Sequence, residues 1–274
     1  MSENLDALNK ETHEAWEENA ETWDNRMGDE GNDFFNTLCW PALASFLNLK
    51  PNSHILDIAC GNGLTTRRLA ELGAQVTAFD FSANLIEKAK ARLANHTSHI
   101  SLHVIDATNE SQLLSLGQHK FESALSNMAL FDMANTEILF QTLPKLLKSK
   151  GTFVFSITHP AFNNASSMHV AEEIDDGEIK TIYSIKVSRY MTPAHQHGLA
   201  LRNQPRPQVY FDRPLTYYMN LGFKNGFVLD GFEERAFPPE TPQNFPLGWG
   251  GKFSELPPVI VARMRLLKCA LSIY

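Results

Sequence analysis

The most informative segment of this chain is His54-Ile55-Leu56-Asp57-Ile58-Ala59-Cys60-Gly61-Asn62-Gly63. Its first six residues are typical of a short buried strand, and residues 64–72 are typical of a helix. The two glycines predict a tight turn in which the backbone approaches a ligand with no Cβ in the way. A strand, a glycine turn and a helix in this order leave backbone N–H groups free beside a ligand pocket.

A second acidic residue, Asp80, closes the next predicted strand at residues 75–80. A carboxylate at that edge of a sheet can accept both hydroxyls of a ribose, so the pattern indicates a cofactor that contains a nucleoside. The dinucleotide fingerprint fails because Thr66 stands where its third glycine should be, and no Gly-Lys-Ser/Thr follows the turn as a P-loop requires. The alternative is a nucleotide-binding fold that has lost its ligand.

Strands and helices alternate from residue 54 to residue 158, which predicts a parallel sheet with helices on both faces. Ser82 is typical of a helix N-cap. Ligands of such sheets bind beyond the carboxyl ends of the strands. The polar residues predicted at or near those ends are Asp57, Asp80, Asp106, Asn127 and His159.

The alternation stops at residue 160. An Asp-Gly turn at 176–177 predicts a β-hairpin between residues 171 and 190, and residues 191–207 read as a proline-containing loop. Regular structure returns with a helix at 215–225 and strands at 227–234 and 259–268, which suggest a hairpin at the sheet edge. Residues 1–10 are polar and are expected to be disordered.

The composition of the chain limits the classes of function that it can have. The chain has 274 residues, 43% of them hydrophobic, and a net charge of −7, which disfavours a nucleic-acid substrate because such substrates require a basic face. The three cysteines Cys39, Cys60 and Cys269 form no disulfide framework or zinc motif, so we expect a cytoplasmic protein with reduced thiols and no metal site. We expect no signal peptide among the polar first residues, and no run approaches the roughly 18 apolar residues of a membrane span.

The pattern Asp57-x-Ala59-Cys60-Gly61-x-Gly63, followed by Asp80, resembles motif I and the second-strand acid of class I S-adenosyl-L-methionine (SAM) methyltransferases. The closest likeness is to the small-molecule branch that includes ubiquinone- and menaquinone-biosynthesis methyltransferases; a weaker match is residues 211–218. The resemblance implies a seven-stranded Rossmann-like α/β sheet with an antiparallel last strand and a β-hairpin lid inserted after strand five. It also implies a helical cap at 1–50, a SAM-binding core at 51–159, a lid and acceptor-binding insertion at 160–213, and completion of the sheet at 214–274.

By the same resemblance, SAM is the cofactor and S-adenosyl-L-homocysteine (SAH) the product. The residues expected to bind the cofactor are Trp23, Arg26, Asp57, Ala59, Gly61, Gly63, Asp80, Phe81, Asp106, Ala107, Asn127 and Met128. Three of them have plainer alternatives: Asp106 as a turn residue, and Trp23 and Phe81 as core packing.

The expected partner is a small-molecule methyl acceptor, and a monomer and a homodimer are both left open. Two rival functions are a protein or RNA methyltransferase and a non-catalytic SAM- or SAH-binding module. His159 is the candidate acid/base, because an imidazole suits proton removal at neutral pH; alternatively its ring braces the turn at Pro160. The aromatic candidates for the acceptor pocket are Phe131, Phe162, Tyr183, Tyr190, Tyr210 and Phe211.

Overall fold

A computed structural model describes residues 4–267 of the chain. Cys269 and the end of the last predicted strand, at residue 268, lie outside the described residues, as do residues 1–3. The helices are α1 (Leu5–Met27), α2 (Trp40–Leu47), α3 (Leu64–Glu71), α4 (Ala83–Arg92), α5 (Glu110–Leu114), α6 (Thr136–Leu146) and α7 (Leu215–Lys224). A π-helical segment, Phe34–Cys39, leads into α2, and short 3₁₀ segments occupy Ala94–His99 and Gly251–Phe253.

The central sheet has seven strands: β1 (His54–Ile58), β2 (Gln75–Asp80), β3 (Ile100–Val104), β4 (Phe121–Asn127), β5 (Leu147–Thr158), β10 (Phe227–Arg235) and β11 (Val259–Leu266). Their order across the sheet is β3-β2-β1-β4-β5-β11-β10. The first five strands pair in parallel, whereas β11 runs antiparallel to both β5 and β10. The predicted Rossmann-like sheet with an antiparallel last strand is therefore confirmed.

Helices cover both faces of this sheet because the strands are apolar on both sides. One face carries α5, α6 and α7, whose buried side chains pack on Leu56 and Ile58 of β1. The other carries α2, α3 and α4, which pack against Ile55 of the same strand. Strand order reverses between β1 and β4, so the chain opens a crevice at the carboxyl ends of those two strands.

Two smaller hairpins follow β5. The predicted hairpin is confirmed as β6 (Ser167–Asp175) paired with β7 (Ile179–Val187). A second hairpin, β8 (Ala194–Gly198) paired with β9 (Gln208–Asp212), occupies part of the segment that the sequence predicts to be a loop. That prediction is wrong because β8 contains two histidines, a glutamine and a glycine, and no apolar alternation marks it as a strand.

The N-terminal prediction is also wrong where the structure describes it. Residues 5–10 form the first turns of α1, capped by the side chain of Asn4, which accepts a hydrogen bond from the Ala7 N–H. Helix α6 continues through Pro144 because the proline lies in its last turn, next to its end at Leu146. Among the described residues, no helix combines the length and the apolar character that crossing a bilayer requires.

Candidate active site

A large cavity of about 620 Å³ lies at the carboxyl ends of the parallel strands. One side of it, which we call the strand-end wall, is formed by residues at or just beyond the ends of β1 to β4. Its members are Asp57, Ala59, Gly61, Asp80, Phe81, Asp106, Ala107, Asn127 and Met128. Four of the five polar residues expected at the strand ends therefore line one cavity; the fifth, His159, does not.

Asp80 organises the turn beside it. Its side chain accepts hydrogen bonds from the Gly61 N–H and the Ser82 N–H, both at 2.9 Å. Burial raises the pKa of this carboxyl to about 6, and the two backbone N–H groups oppose that rise. A carboxylate offers about four acceptor positions, so two remain for the hydroxyls of a ribose. Ser82 also caps α4, as predicted, by accepting from the Leu85 N–H.

Asp57 lies inside β1 and is almost completely buried. Its Oδ2 accepts a hydrogen bond of 2.6 Å from the Thr66 hydroxyl on α3. Burial raises the pKa of Asp57 to about 7; the Thr66 bond lowers it, and the charge of Asp80 raises it further. Two carboxylates are thus held close together in the wall of a cavity, where a cationic ligand would stabilise their ionised forms.

The two glycines of the turn have different roles. Gly61 has φ +54°, and a Cβ there would meet only the Trp23 indole nitrogen, 4.0 Å away, so this glycine is open toward the cavity. Gly63 has φ +79°, and its Cβ would come within 2.9 Å of the Ala89 Cβ and 3.0 Å of Leu93 on α4. Gly63 does not line the cavity. The absence of a side chain at Gly63 allows the start of α3 to pack closely against α4, and its role in cofactor binding stays a prediction.

Two non-glycine residues of the strand-end wall have left-handed backbone conformations. Ala59 has φ +53° at the end of β1, and Met128 has φ +55° at the end of β4. Such conformations cost free energy and are concentrated at ligand sites. The Met128 N–H is fixed by the carbonyl and the hydroxyl of Ser156, and that hydroxyl donates to the Asn127 side chain.

The far end of the strand-end wall is built around Asp106. Its Oδ1 accepts from the backbone N–H and the hydroxyl of Thr108, and its Oδ2 accepts from the Asn9 amide at 2.7 Å. Asp106 is therefore a turn residue that also lines the cavity, together with Ala107 and Phe81. Sequence reasoning missed Asn9, because the polar composition of the first residues obscured the start of α1.

Helix α1 covers the cavity with two tryptophans. Trp16 and Trp23 both line it, and their rings meet edge to face with centroids 5.3 Å apart. Arg26 has an exposed side chain and does not line the cavity, so the structure does not bring it to the expected site. Arg26 follows the exposed Asn25 and precedes the buried Met27, and its side chain extends from the helix into solvent.

A buried arginine that the sequence did not indicate ties α1 to the glycine turn. Arg92 donates to the Asp24 carboxylate at 2.8 Å, and also to the carbonyls of Asn62 and Gly28. The Asn62 amide donates to the same Asp24 oxygen. These residues are far apart in sequence, and no motif links them.

His159 is held on both sides and lies outside the cavity wall. Its Nδ1 accepts hydrogen bonds from the N–H groups of Ala161 and Phe162, so Nε2 carries the proton and donates to Glu234 at 2.9 Å. Burial lowers the pKa of the ring, and Glu234 opposes that shift. In the structure the ring braces the turn after β5, which was the alternative, and the role of His159 as an acid/base stays a prediction.

The opposite side of the cavity, which we call the hairpin wall, comes from one face of the β8–β9 hairpin and from the loop after β4. Its members are Phe131, Asp132, Gln196, Gly198, Gln208, Tyr210 and Asp212. Of the aromatic residues expected around an acceptor, only Phe131 and Tyr210 line the cavity. Phe211 is buried behind β9, Phe162 stacks on His159, Tyr183 packs on Phe253, and Tyr190 accepts from the Leu215 N–H.

Comparison with known proteins agrees with this geometry. Residues 49–187 match the family described as "Methyltransferase domain". A curated relative, the ubiquinone biosynthesis O-methyltransferase of Coxiella burnetii, is 28% identical over 109 residues, 40% of this chain and 45% of that protein. The chain thus spans less than half the length of this relative.

Solved structures show the same fold. A SAM-dependent methyltransferase from Mesorhizobium loti is 24% identical with a TM-score of 0.62, covering 82% of this chain and 96% of that one. The glycopeptide N-methyltransferase MtfA, complexed with SAM, is 15% identical with a TM-score of 0.52, covering 87% of this chain and 97% of that one.

The family match covers just over half of the chain, and it includes the five parallel strands of the sheet, the glycine turn and the strand-end wall. The prediction of a class I methyltransferase fold is confirmed, and SAM as the methyl donor is confirmed at the level of the family. The chain belongs to the methyltransferase domain family.

Proposed function

We propose that this chain transfers a methyl group from SAM to a small-molecule acceptor. In this proposal the strand-end wall binds the cofactor and the hairpin wall binds the acceptor. The observation that carries it is one continuous cavity lined by both walls, so that the two ligands can meet. Its volume of about 620 Å³ is within the range of about 300–1,000 Å³ that is usual for small-molecule sites.

The residues of the strand-end wall fit the cofactor. Asp80 has free acceptor positions for ribose hydroxyls, and Gly61 leaves open space where a side chain would stand. The first turn of α3 offers backbone N–H groups to a carboxylate. Asp106, Ala107 and Phe81 would surround the base. Bound SAM supplies a methyl group already activated on a positively charged sulfur, so the protein contributes chiefly orientation.

The cavity favours a small acceptor over a nucleic acid. No Lys, Arg or His side chain of the described residues lines it, whereas a phosphate backbone would require such groups. The net charge of −7 also disfavours a nucleic-acid substrate. The curated relative that is 28% identical over 109 residues is named a ubiquinone biosynthesis O-methyltransferase, and this name supports a small acceptor.

We assign the segments outside the core to cofactor and acceptor binding. Residues 1–50 would cap the cofactor, residues 51–159 and 214–274 would form the core, and residues 160–213 would form the lid. Cap and lid are joined by Asn19, a buried residue of α1 whose amide exchanges two hydrogen bonds with the backbone of Arg206.

The proposal is tested with SAM labelled in its methyl group, incubated with the protein and a cell extract. Counting follows separation into small-molecule, protein and RNA fractions. We expect label in the small-molecule fraction, and its loss in Asp80→Ala. Label concentrated in protein or RNA would contradict the small-acceptor proposal. SAM binding without transfer to any fraction would favour the non-catalytic rival.

A further inference from the structure

The charge of the cavity wall is unusually one-sided. Five carboxylic acids line it, and no basic side chain of the described residues does. Three of these acids, Asp57, Asp80 and Asp106, belong to the strand-end wall and have hydrogen-bond donors from the protein. The other two, Asp132 and Asp212, belong to the hairpin wall and require a separate explanation.

Asp132 has a buried oxygen with no partner. Its Oδ1 is shielded from solvent and accepts no hydrogen bond, although the residue lines the cavity. A carboxylate oxygen that is shielded from solvent and has no donor is costly and is uncommon unless a ligand supplies the donor. Burial raises the pKa of Asp132 well above its usual value, and the charge of Asp80 adds to the rise. A positively charged ligand in the cavity would stabilise the ionised carboxylate.

The loop that carries Asp132 is firmly fixed. Arg213 donates to the carbonyls of Leu130, Met133 and Ala134, at 3.3, 2.9 and 2.8 Å. The Phe211 N–H donates to the carbonyl of the residue that precedes Asp132, at 2.8 Å. The position of the carboxyl is therefore preorganised, as a ligand-binding group requires.

The same backbone bond brings Asp212 into the hairpin wall, because Asp212 follows Phe211 directly. The Oδ2 of Asp212 is also shielded from solvent and has no partner. Burial raises its pKa, while the Ala165 N–H and the charge of Arg189 lower it. Asp132 and Asp212, each with an unpartnered oxygen, thus directly follow Phe131 and Phe211, the two residues that this backbone hydrogen bond joins.

The hairpin wall also contains a tyrosine, Tyr210, whose hydroxyl proton is available to a ligand. The Gln204 amide oxygen accepts from the Leu201 N–H, so its nitrogen donates to the Gln208 oxygen, and the Gln208 nitrogen donates to the Tyr210 hydroxyl at 2.9 Å. Gly198 lies opposite the ring, where a Cβ would come within 2.8 Å of it. The Tyr210 and Phe131 rings, with centroids 5.8 Å apart, add aromatic surface that attracts a cation.

We propose that the methyl acceptor is an amine that enters the hairpin wall as its ammonium ion, and that Asp132 accepts the proton that must leave the nitrogen. This inference rests on the proposed function and specifies its acceptor. A neutral or anionic acceptor would leave the two unpartnered carboxyl oxygens without compensation, and an anion would find no cationic side chain in the described wall.

The step balances in the following way. One N–H bond of the ammonium breaks, its electron pair stays on nitrogen, and the proton moves to the Asp132 carboxylate. The nitrogen lone pair then forms the new N–C bond as the C–S bond of SAM breaks, and that electron pair stays on sulfur. The products are a methylated ammonium ion, SAH and a protonated Asp132, which returns its proton to water.

The test uses three probes of matched shape and different charge: benzylamine, benzyl alcohol and benzoate. Each is titrated into the full chain saturated with SAH, and binding is followed by ligand-observed NMR. We expect the amine to bind most tightly and benzoate not to bind. Asp132→Asn should weaken amine binding at least about tenfold, because a charge-assisted hydrogen bond is lost. Asp176→Asn, in the exposed β6–β7 turn, is the matched control and should leave binding unchanged.

Retained SAH affinity shows that each variant is folded, and Asp212→Asn provides a second removal of charge if Asp132→Asn does not fold. Benzoate or benzyl alcohol binding as tightly as the amine would overturn the inference, as would amine binding that neither substitution weakens. In those cases SAH still binds and the proposed function stands. Failure of the wild-type protein to bind SAH would instead contradict the proposed function itself.

Discussion

Replacing the two glycines of the turn one at a time should separate folding from cofactor binding. Both have positive φ, so an alanine at either position carries the strain of a left-handed backbone, about 1 kcal/mol. At Gly63 the new methyl would also come within 2.9 Å of the Ala89 side chain, and such overpacking costs about 1–3 kcal/mol more. At Gly61 the nearest atom is 4.0 Å away, so no such clash arises.

Gly63→Ala should therefore lower the free energy of unfolding by about 2–4 kcal/mol, and Gly61→Ala by about 1 kcal/mol. The order reverses for the cofactor. Gly61→Ala puts a methyl in the cavity and should weaken SAH binding at least about tenfold, whereas folded Gly63→Ala should change it by less than about threefold. Urea denaturation and calorimetric titration measure the two quantities. Equal stability losses, or a larger affinity loss in Gly63→Ala, would refute the assignment of the two positions.

Three further predictions concern single side chains. Ala59→Gly should raise the free energy of unfolding by about 0.5–1 kcal/mol, because glycine adopts the left-handed φ of this position without strain. A lower free energy of unfolding in urea denaturation would contradict this prediction. The pKa of Asp57 in the folded protein, about 7, is higher than its ordinary value of 3.8. The free energy of unfolding of the unliganded wild type should therefore fall by up to about 4 kcal/mol as the pH rises from 4 to 8. Asp57→Asn should show a smaller loss over that range; parallel pH profiles of the two proteins would exclude the effect. His159→Ala should destabilise the fold by about 1–3 kcal/mol through two orphaned N–H groups, with SAH affinity intact; lost methyl transfer at unchanged stability would restore its catalytic role.

The core of the fold follows from the sequence because its signals are local. Alternating strands and helices, the Ser82 cap and the Asp-Gly hairpin turn each depend on a few neighbouring residues, and the structure has all of them. The acids at the strand ends converge because parallel strands bring their carboxyl ends to one edge. For these residues, position along the chain was sufficient to predict position in space.

The predictions for single site residues differ from the structure where they depend on the direction in which a side chain points. Gly63 and Arg26 are in the expected elements, but one contacts α4 and the other faces solvent. His159 follows β5 as predicted, yet its ring turns toward Glu234. These directions depend on tertiary packing that a motif does not encode.

Long-range polar clusters could not be predicted for a related reason. The contacts of Arg92 with Asp24 and Asn62 join three elements that no sequence spacing connects. Likewise Asp132 is an ordinary loop residue in sequence, and only the β8–β9 hairpin, itself unpredicted, makes it part of a cavity wall.

The most direct test of the central claim is calorimetric titration of SAH into the wild-type chain and into Asp80→Asn. The structure predicts one binding site per chain in the wild type. In the folded variant we expect binding to be weaker by about ten- to a hundredfold, because a charge-assisted hydrogen bond to the ribose is lost. Absence of binding to the wild type, or equal affinity in a folded Asp80→Asn protein, would contradict the claim that the strand-end wall is a SAM site.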